Sequence, residues 1–447
     1  MSEEQRDNGV TRREFVTTAT GAAVGTLLAA SSPVIHAQAK RRYAIVGTGV
    51  RGIGMWGTPI ARRYADSVEF VGLSDINPIR LEAAKKAMGV SCPTFVSFDE
   101  MMDKAKPDLL MVTTVDGHHS EYIVKALNRG IDVMTEKPMV IDEKQCQAVL
   151  DAEKRAGKKI IVTFNYRYAP KHQKIKELLQ AGEIGKITSV DFSWYLDTSH
   201  GADYFRRWHG YRAKSGSLWV HKATHHFDLV NWWLDADPVQ VDALGSLANY
   251  GKAGPFRHTH CRPCPHKTQC AYHWDITKSP RMVDLYVNAE KADGYLRDGC
   301  VYRSDIDIFD TMNAVVKYSS GVNMSYSVNT FMPIEGYRIA FNGTRGRLEV
   351  RDYERQPWEP GEESEMYLIR NFGKREKIAV PTATEGHGGG DAVLQDLIFK
   401  KNVDVPPYMR LPGSRAGAMS CLTGIAARKS CDEGKPVRIA DLVKIPT

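Results

Sequence analysis

Residues 221–228 read His-Lys-Ala-Thr-His-His-Phe-Asp and run into Leu229, Trp232 and Trp233, an apolar face at helical spacing. On a helix His221 and His225 lie four apart and share a face, and Asp228, three beyond His225, is within reach of it. Two imidazoles at that spacing are one way to hold a metal, although no acidic third ligand stands close by in the sequence. His226 points elsewhere and suits a hydrogen-bonded core position. A second candidate is Glu136-Lys137-Pro138, which follows Thr135 at the end of a strand expected over 132–134. A lysine buried near other charge loses proton affinity and can take or steady a proton on a reacting oxygen. At a surface it would only pair with Glu136.

Three more stretches carry chemistry. Gly47-Thr-Gly49-Val50-Arg51-Gly52 follows the apolar run 43–46 directly. In such a turn the first glycine permits the bend, the second lets a pyrophosphate approach the backbone and the third lets the next helix pack on the strand. The helix N-terminus then offers free N–H groups to phosphate. Asp75 ends the next apolar run, 23 residues past Gly52. An acid there accepts the hydroxyls of an adenosine ribose and repels a 2′-phosphate, which predicts NAD rather than NADP, with Arg80 nearby softening the preference. The bland alternative is a glycine-rich strand–helix turn that binds nothing. Residues 250–303 hold Cys261, Cys264, Cys270 and Cys300, interleaved with His258, His260, His266 and His273. Cys-x-x-Cys on a Pro-containing loop suits a structural zinc, and the spacing also suits an iron–sulfur loop. Two disulfides or free thiols are the competing readings. Cys92, Cys146, Cys421 and Cys431 stand singly and read as core or surface thiols. Last, Glu385-Gly-His387-Gly-Gly-Gly-Asp391 opens a helix, and its glycines let the loop approach a ligand closely.

The elements that must position these groups alternate between strand and helix from residue 41 to about 163. That alternation means a doubly wound parallel sheet, with ligands at the carboxyl ends of its strands. Thr113, Thr114, His118, Glu136 and Lys137 all fall at such ends. From residue 164 the pattern changes. A helix over 171–180 and a strand over 187–195 lead into a polar, aromatic loop through Tyr204, Arg206, Arg207 and Trp208. Beyond the Cys-rich insertion, stretches at 305–318, 321–330, 336–341 and 347–350 alternate like antiparallel strands. A helix over 414–428 closes the chain.

The first 39 residues carry a different message. Arg12-Arg13 precedes an apolar segment over about 19–35 and a small-x-small pattern, Ala37-Gln38-Ala39. This reads as a twin-arginine export signal with a mature chain from about residue 40, destined for the periplasm or the exterior. The alternative is an anchor helix, but the segment is short for a span. No other stretch is long and apolar enough to cross a membrane. Outside the cytoplasm no NAD pool recycles a cofactor, so it should be tightly held and returned to its starting redox state in each turnover. The net charge of +7 comes partly from the signal, and no long basic run points to nucleic acid.

Gly47–Gly52, Ser74-Asp75 and Glu136-Lys137-Pro138 with its preceding strand resemble the Gfo/Idh/MocA oxidoreductases. The resemblance covers nearly all the chain after the signal. It implies a Rossmann domain over 40–163, then a C-terminal α/β domain over 164–447 whose open, mostly antiparallel sheet forms the substrate pocket and associates face to face into homo-oligomers. It further implies a nicotinamide cofactor, a small sugar or cyclitol substrate, and Lys137 beside the reacting carbon. In many such dehydrogenases the segment at 221–228 resembles Asp-x-x-x-His with another Asp three residues on, the His acting as general acid/base. His225 and Asp228 match, while His221 replaces the first Asp. Tyr166, Arg167, Arg207 and His387 are the expected substrate contacts. The loop at 387–391 is similar to one in NAD-using glycosidases of the same fold. Two enzyme readings follow: a dehydrogenase of a sugar, glycoside or polyol carbinol, and a glycoside hydrolase that oxidises, eliminates, hydrates and returns the hydride with no net redox change. A non-catalytic sugar-binding protein is a third reading, against which the intact glycines and Lys137 argue.

Overall fold

Tyr43, Ala44, Ile45 and Val46 are all buried, so β1 (Arg41–Val46) is covered on both faces. Around it lie β2 (Val68–Ser74), β3 (Thr94–Phe95), β4 (Leu109–Val112), β5 (Asp132–Thr135) and β6 (Ile160–Val162). All pairs are parallel, in the order β3-β2-β1-β4-β5-β6. The strand order reverses between β1 and β4, and a crevice opens at the carboxyl ends of the strands flanking such a reversal. Gly47, Asp75, Thr113 and Glu136 each directly follow a strand of this sheet, so the chain has brought them to one edge. The computed structural model describes residues 39–357, 364–381, 383, 386–401 and 403–445. The twin-arginine motif, its apolar segment and Glu385 lie outside the described residues. Among the described residues no helix is long and apolar enough to cross a membrane.

A nine-stranded sheet follows: β7 (Ile187–Asp197), β8 (Pro238–Ser246), β9 (Thr311–Tyr318), β10 (Asn323–Met332), β11 (Glu335–Gly343), β12 (Gly346–Arg355), β13 (Ser364–Arg370), β14 (Arg375–Ile378) and β15 (Val437–Arg438). Every pair is antiparallel except β7 with β10. Alternate residues face inward, as β9 shows with Met312, Ala314, Val316 and Tyr318 buried and Asn313, Val315 and Lys317 exposed. Phe192, Trp194, Tyr326 and Tyr337 fill the inner face beneath the helix Ala223–Leu234. The helix Ser414–Glu433 packs on β8, and at Gly424 a Cβ would stand 2.1 Å from the Trp219 carbonyl, so only glycine allows that crossing.

The fold is therefore a Rossmann sheet followed by an α/β region with a mostly antiparallel sheet. Three local expectations are corrected, and some strands were not foreseen. The segment expected as a loop up to Trp208 is largely the helix Thr198–Arg206, started by Asp197, whose carboxylate accepts from the N–H groups of Ser199 and His200. The strand expected from 305 begins only at Thr311. Strands β8, β13 and β14 carried no expectation. The final helix runs to Glu433 and stops at Gly434, which is left-handed with φ +66°.

Candidate active site

Gly47 has φ +91°, and a Cβ there would sit 2.7 Å from the backbone of Thr113 and Thr114, so the turn after β1 needs glycine twice over. At Gly52 a Cβ would lie 2.4 Å from the Gly47 carbonyl. Thr113 locks this packing by donating its hydroxyl to the Gly47 carbonyl at 2.5 Å. Asp75 is buried and accepts from the Thr48 N–H at 2.8 Å, the Asn77 N–H at 2.9 Å and Arg80 Nη1 at 3.1 Å. The residues fit a dinucleotide: the glycines at 47 and 52 make the tight turn after β1, and a carboxylate closes the edge beside them.

The Cys-rich insertion supplies the surprise at this edge. Tyr286 places its hydroxyl 3.0 Å from the Val50 N–H, and a Cβ on Gly49 would come within 3.2 Å of the same oxygen. Arg281 donates to the Val50 carbonyl at 3.1 Å. Arg80 is drawn into the insertion by Asp293 at 2.7 Å and the Leu285 carbonyl at 3.2 Å, and Asn77 by the Ala289 carbonyl at 2.9 Å. Residues 281–293 thus form a strap over the nucleotide edge. Val50 spends both backbone groups on it. Arg51 was expected at the cofactor too, yet its Nε bonds Glu136 at 2.7 Å, and Trp56 bonds the same carboxylate oxygen at 2.6 Å. Glu136 therefore ties the glycine loop's helix to the turn bearing Lys137.

Lys137 is half-buried, and its Nζ donates to the His221 carbonyl at 2.9 Å. That carbonyl is free because the chain breaks between the helices Leu218–His221 and Ala223–Leu234, where the His225 N–H turns to Lys222 instead. Burial lowers the Lys137 ammonium to about 8, against the opposing pull of Asp116 and Glu136. His221 Nδ1 meets Asp116 Oδ2 at 2.5 Å. Burial pushes the Asp116 carboxyl up and the His221 imidazole down. Asp116 comes from the turn after β4 and restores in space the carboxylate that the segment at 221–228 lacks in sequence. Sequence reasoning missed it and chose His118 from the same turn. His118 is exposed beside Glu121, while buried His119 bonds the carbonyls of Pro138 and Thr114. The Thr114 hydroxyl donates to the carbonyl of its neighbour Val115.

His225 faces a second group. Its ring lies 4.5 Å from that of Tyr166 and 6.4 Å from that of His387, centroid to centroid. Its Nδ1 is buried without a hydrogen-bond partner, and burial followed by the Lys137 charge depresses its proton affinity. His387 sits at φ +51° and bonds Asp391 at 2.9 Å, and Asn165 holds the other oxygen of Asp391 at 2.6 Å. Such left-handed non-glycine backbone costs energy and is concentrated at functional sites. Lys222, also missed, is buried with its ammonium 5.6 Å over Tyr166 and 4.8 Å over Trp194.

Two expected substrate groups are spent on structure. Arg167 and Asp228 form a buried two-pronged pair at 2.7 and 2.6 Å, which satisfies both oxygens of the carboxylate. Asp228 thus braces the helix bearing His225. Arg207 bonds Asp203 at 2.9 Å and still acts on Asp116 and His221 through its charge. His226 is a core residue, bonded to the Tyr326 hydroxyl at 2.6 Å. No three His, Cys, Asp or Glu side chains among the described residues are grouped to hold a metal ion, so a metal on His221 and His225 is not supported.

A dinucleotide edge, a lysine of lowered proton affinity and facing histidines define an NAD-binding oxidoreductase. The chain matches the oxidoreductase family's NAD-binding Rossmann fold over residues 41–164 and its C-terminal alpha/beta domain over 176–439, and it belongs to the Gfo/Idh/MocA family. It is 39% identical over 426 residues to YteT of Bacillus subtilis (strain 168), a protein named as an oxidoreductase, covering 91% of this chain and 99% of that one. It is 26% identical over 201 residues to the inositol 2-dehydrogenase/D-chiro-inositol 3-dehydrogenase of Lactiplantibacillus plantarum, covering 44% of this chain and 55% of that one. The aldose-aldose oxidoreductase of Caulobacter crescentus shares the fold with a TM-score of 0.60 at 17% identity, covering 90% of this chain and all of that one, 100%.

Proposed function

We propose that the protein oxidises a carbinol of a sugar, glycoside or polyol and keeps its NAD bound between turnovers. The observation that carries this reading is the strap: Tyr286, Arg281, Leu285, Ala289 and Asp293 hold the nucleotide edge from the same chain. When bound, oxidised nicotinamide supplies the hydride acceptor. Hydride leaves a carbinol carbon only as its hydroxyl gives up a proton, and neutral Lys137 Nζ takes that proton. The product is the carbonyl, with the proton on the ammonium. With Asp116 ionised, His221 carries its proton on Nδ1 and presents Nε2 to a substrate hydroxyl. His225, beside the rings of Tyr166 and His387, serves as the second proton-transfer group. The inositol dehydrogenase relatives support a polyhydroxy substrate.

A second reading is favoured by the same strap. If the cofactor does not leave, the hydride must return to a carbohydrate, either reducing a second molecule or completing a net hydrolysis. Export through the twin-arginine route, and association of copies through the outer face of the nine-stranded sheet, belong to the proposal. Mixing the protein with glycosides and polyols separates the readings. Reduced nicotinamide accumulating with added NAD supports carbinol oxidation but counts against retention of the cofactor. Aglycone release without added NAD supports the hydrolase. Neither product, with any of a broad carbohydrate panel, would sink both.

A further inference from the structure

Lys222 stands between His221 and the helix Ala223–Leu234 that carries His225. It is only 3% exposed, and its ammonium lies 5.6 Å over the Tyr166 ring and 4.8 Å over that of Trp194. Those two rings are stacked on each other at 5.7 Å. Tyr166 also lies 4.5 Å from the His225 ring and 5.4 Å from that of His387, so the ammonium shares a wall with both histidines. Among the described residues its Nζ has no hydrogen bond and no carboxylate at ion-pair distance. The little exposure that the residue keeps includes this atom.

A buried ammonium ordinarily meets an oxygen, because ring faces replace only part of its lost hydration. This chain shows the ordinary solution at Lys176, fully buried, which donates to the Trp232 carbonyl at 2.6 Å and pairs with Asp235 at 2.6 Å. Lys222 has no such partner, although acids stand in its neighbourhood. Burial lowers its proton affinity, and the charges of Glu335 and Glu354 oppose that from a distance. Both are engaged elsewhere. Glu335 accepts from His200 at 2.9 Å and from the Asp197 N–H at 2.8 Å, and Glu354 faces Lys171 at 3.5 Å. Asp391, on the His387 side of the wall, is held by His387 and Asn165. The wall therefore presents a cation whose counter-ion the chain does not supply.

A single ammonium is a compact point charge and matches a monoanion, whereas a phosphate dianion is better gathered by forked guanidinium groups. We propose that Lys222 receives the carboxylate of an acidic sugar, so that the substrate is a uronic acid or a uronosyl glycoside. This rests on the carbohydrate reading above and narrows it. A neutral sugar seated on the same wall would strip the last water from the ammonium and return no charge, which is how a site rejects a ligand of the right shape.

The test compares matched ligands on the full chain with its nucleotide, by calorimetric titration. Methyl glucuronoside is set against methyl glucoside, and methyl galacturonoside against methyl galactoside. At least one acid should bind about 10²-fold more tightly than its neutral partner. Lys222→Met keeps the length of the side chain and drops the charge, and should bring that ratio close to one; Lys222→Gln serves as a second variant. No preference for either acid in the unaltered protein, a preference that survives in the variants, or tighter binding of the galactoside 6-sulfate than of either acid would each overturn the proposal. The first comparison needs no variant, so a substitution that fails to fold leaves it standing. Titration also reads binding without turnover. An acid that binds and is never oxidised would count against carbinol oxidation and not against Lys222, whereas a neutral sugar bound and oxidised as readily as the acid would count against Lys222 alone.

Discussion

Lys137 stands between burial, which favours its neutral amine, and the carboxyls of Asp116 and Glu136, which favour the ammonium; the balance leaves it at about 8. The neutral form predominates above that value, so kcat/KM for carbinol oxidation is expected to rise as pH increases through about 8. Lys137→Met should abolish that limb and lower kcat/KM by about 10²–10⁴-fold. Asp116→Asn removes an anion that holds the ammonium, so the limb should move to lower pH, a shift that mere loosening of the fold would not produce. Lys137 was legible in the sequence through Glu-Lys-Pro after an expected strand. Asp116 was not, because it meets His221 across 105 residues and nothing local marks it. The pairing of Arg167 with Asp228 was hidden for the same reason: each looked like a free polar group until the other was found beside it.

At the scale of elements, the brace between Arg167 and Asp228 joins the turn Asn165–Tyr168 to the helix Ala223–Leu234. Asp228→Asn strands a buried guanidinium and should cost about 3–5 kcal/mol of stability, read from chemical denaturation. The pH limb assigned to Lys137 should stay in place, because Asp228 does not touch that lysine. The strap makes a different prediction. Tyr286→Phe removes the hydroxyl from the Val50 N–H, and nucleotide release should quicken by about 2–10-fold in a stopped-flow dissociation measurement. Unchanged release would mean that the strap plays no part in retention. The alternation of strands and helices up to residue 163 was readable because the apolar runs of a parallel sheet are continuous and punctuated by glycine. The strap was not readable, since it is built of single short turns with no periodicity. Strand β14 was missed because its charged sequence, Arg375–Ile378, lies at the edge of the nine-stranded sheet, and β13 (Ser364–Arg370) because its apolar run is only four residues long, 366–369.

Over the whole molecule, the strap closes over the Rossmann edge, and this contact is what supports the proposed retention of the cofactor. The family, the order of its two folds and the nucleotide edge were in the sequence, carried by Gly47, Gly49, Gly52 and Asp75. The insertion stood out only by composition, and the structure turns it from an appendage into a cover for the nucleotide. The measurement that tests this most directly is the nicotinamide nucleotide remaining in the purified protein after exhaustive dialysis, before and after turnover with substrate. The account predicts close to one nucleotide per chain, undiminished by dialysis and returned to its starting redox state. Protein that dialyses free of nucleotide, or that works only while exchanging it with solution, would contradict it.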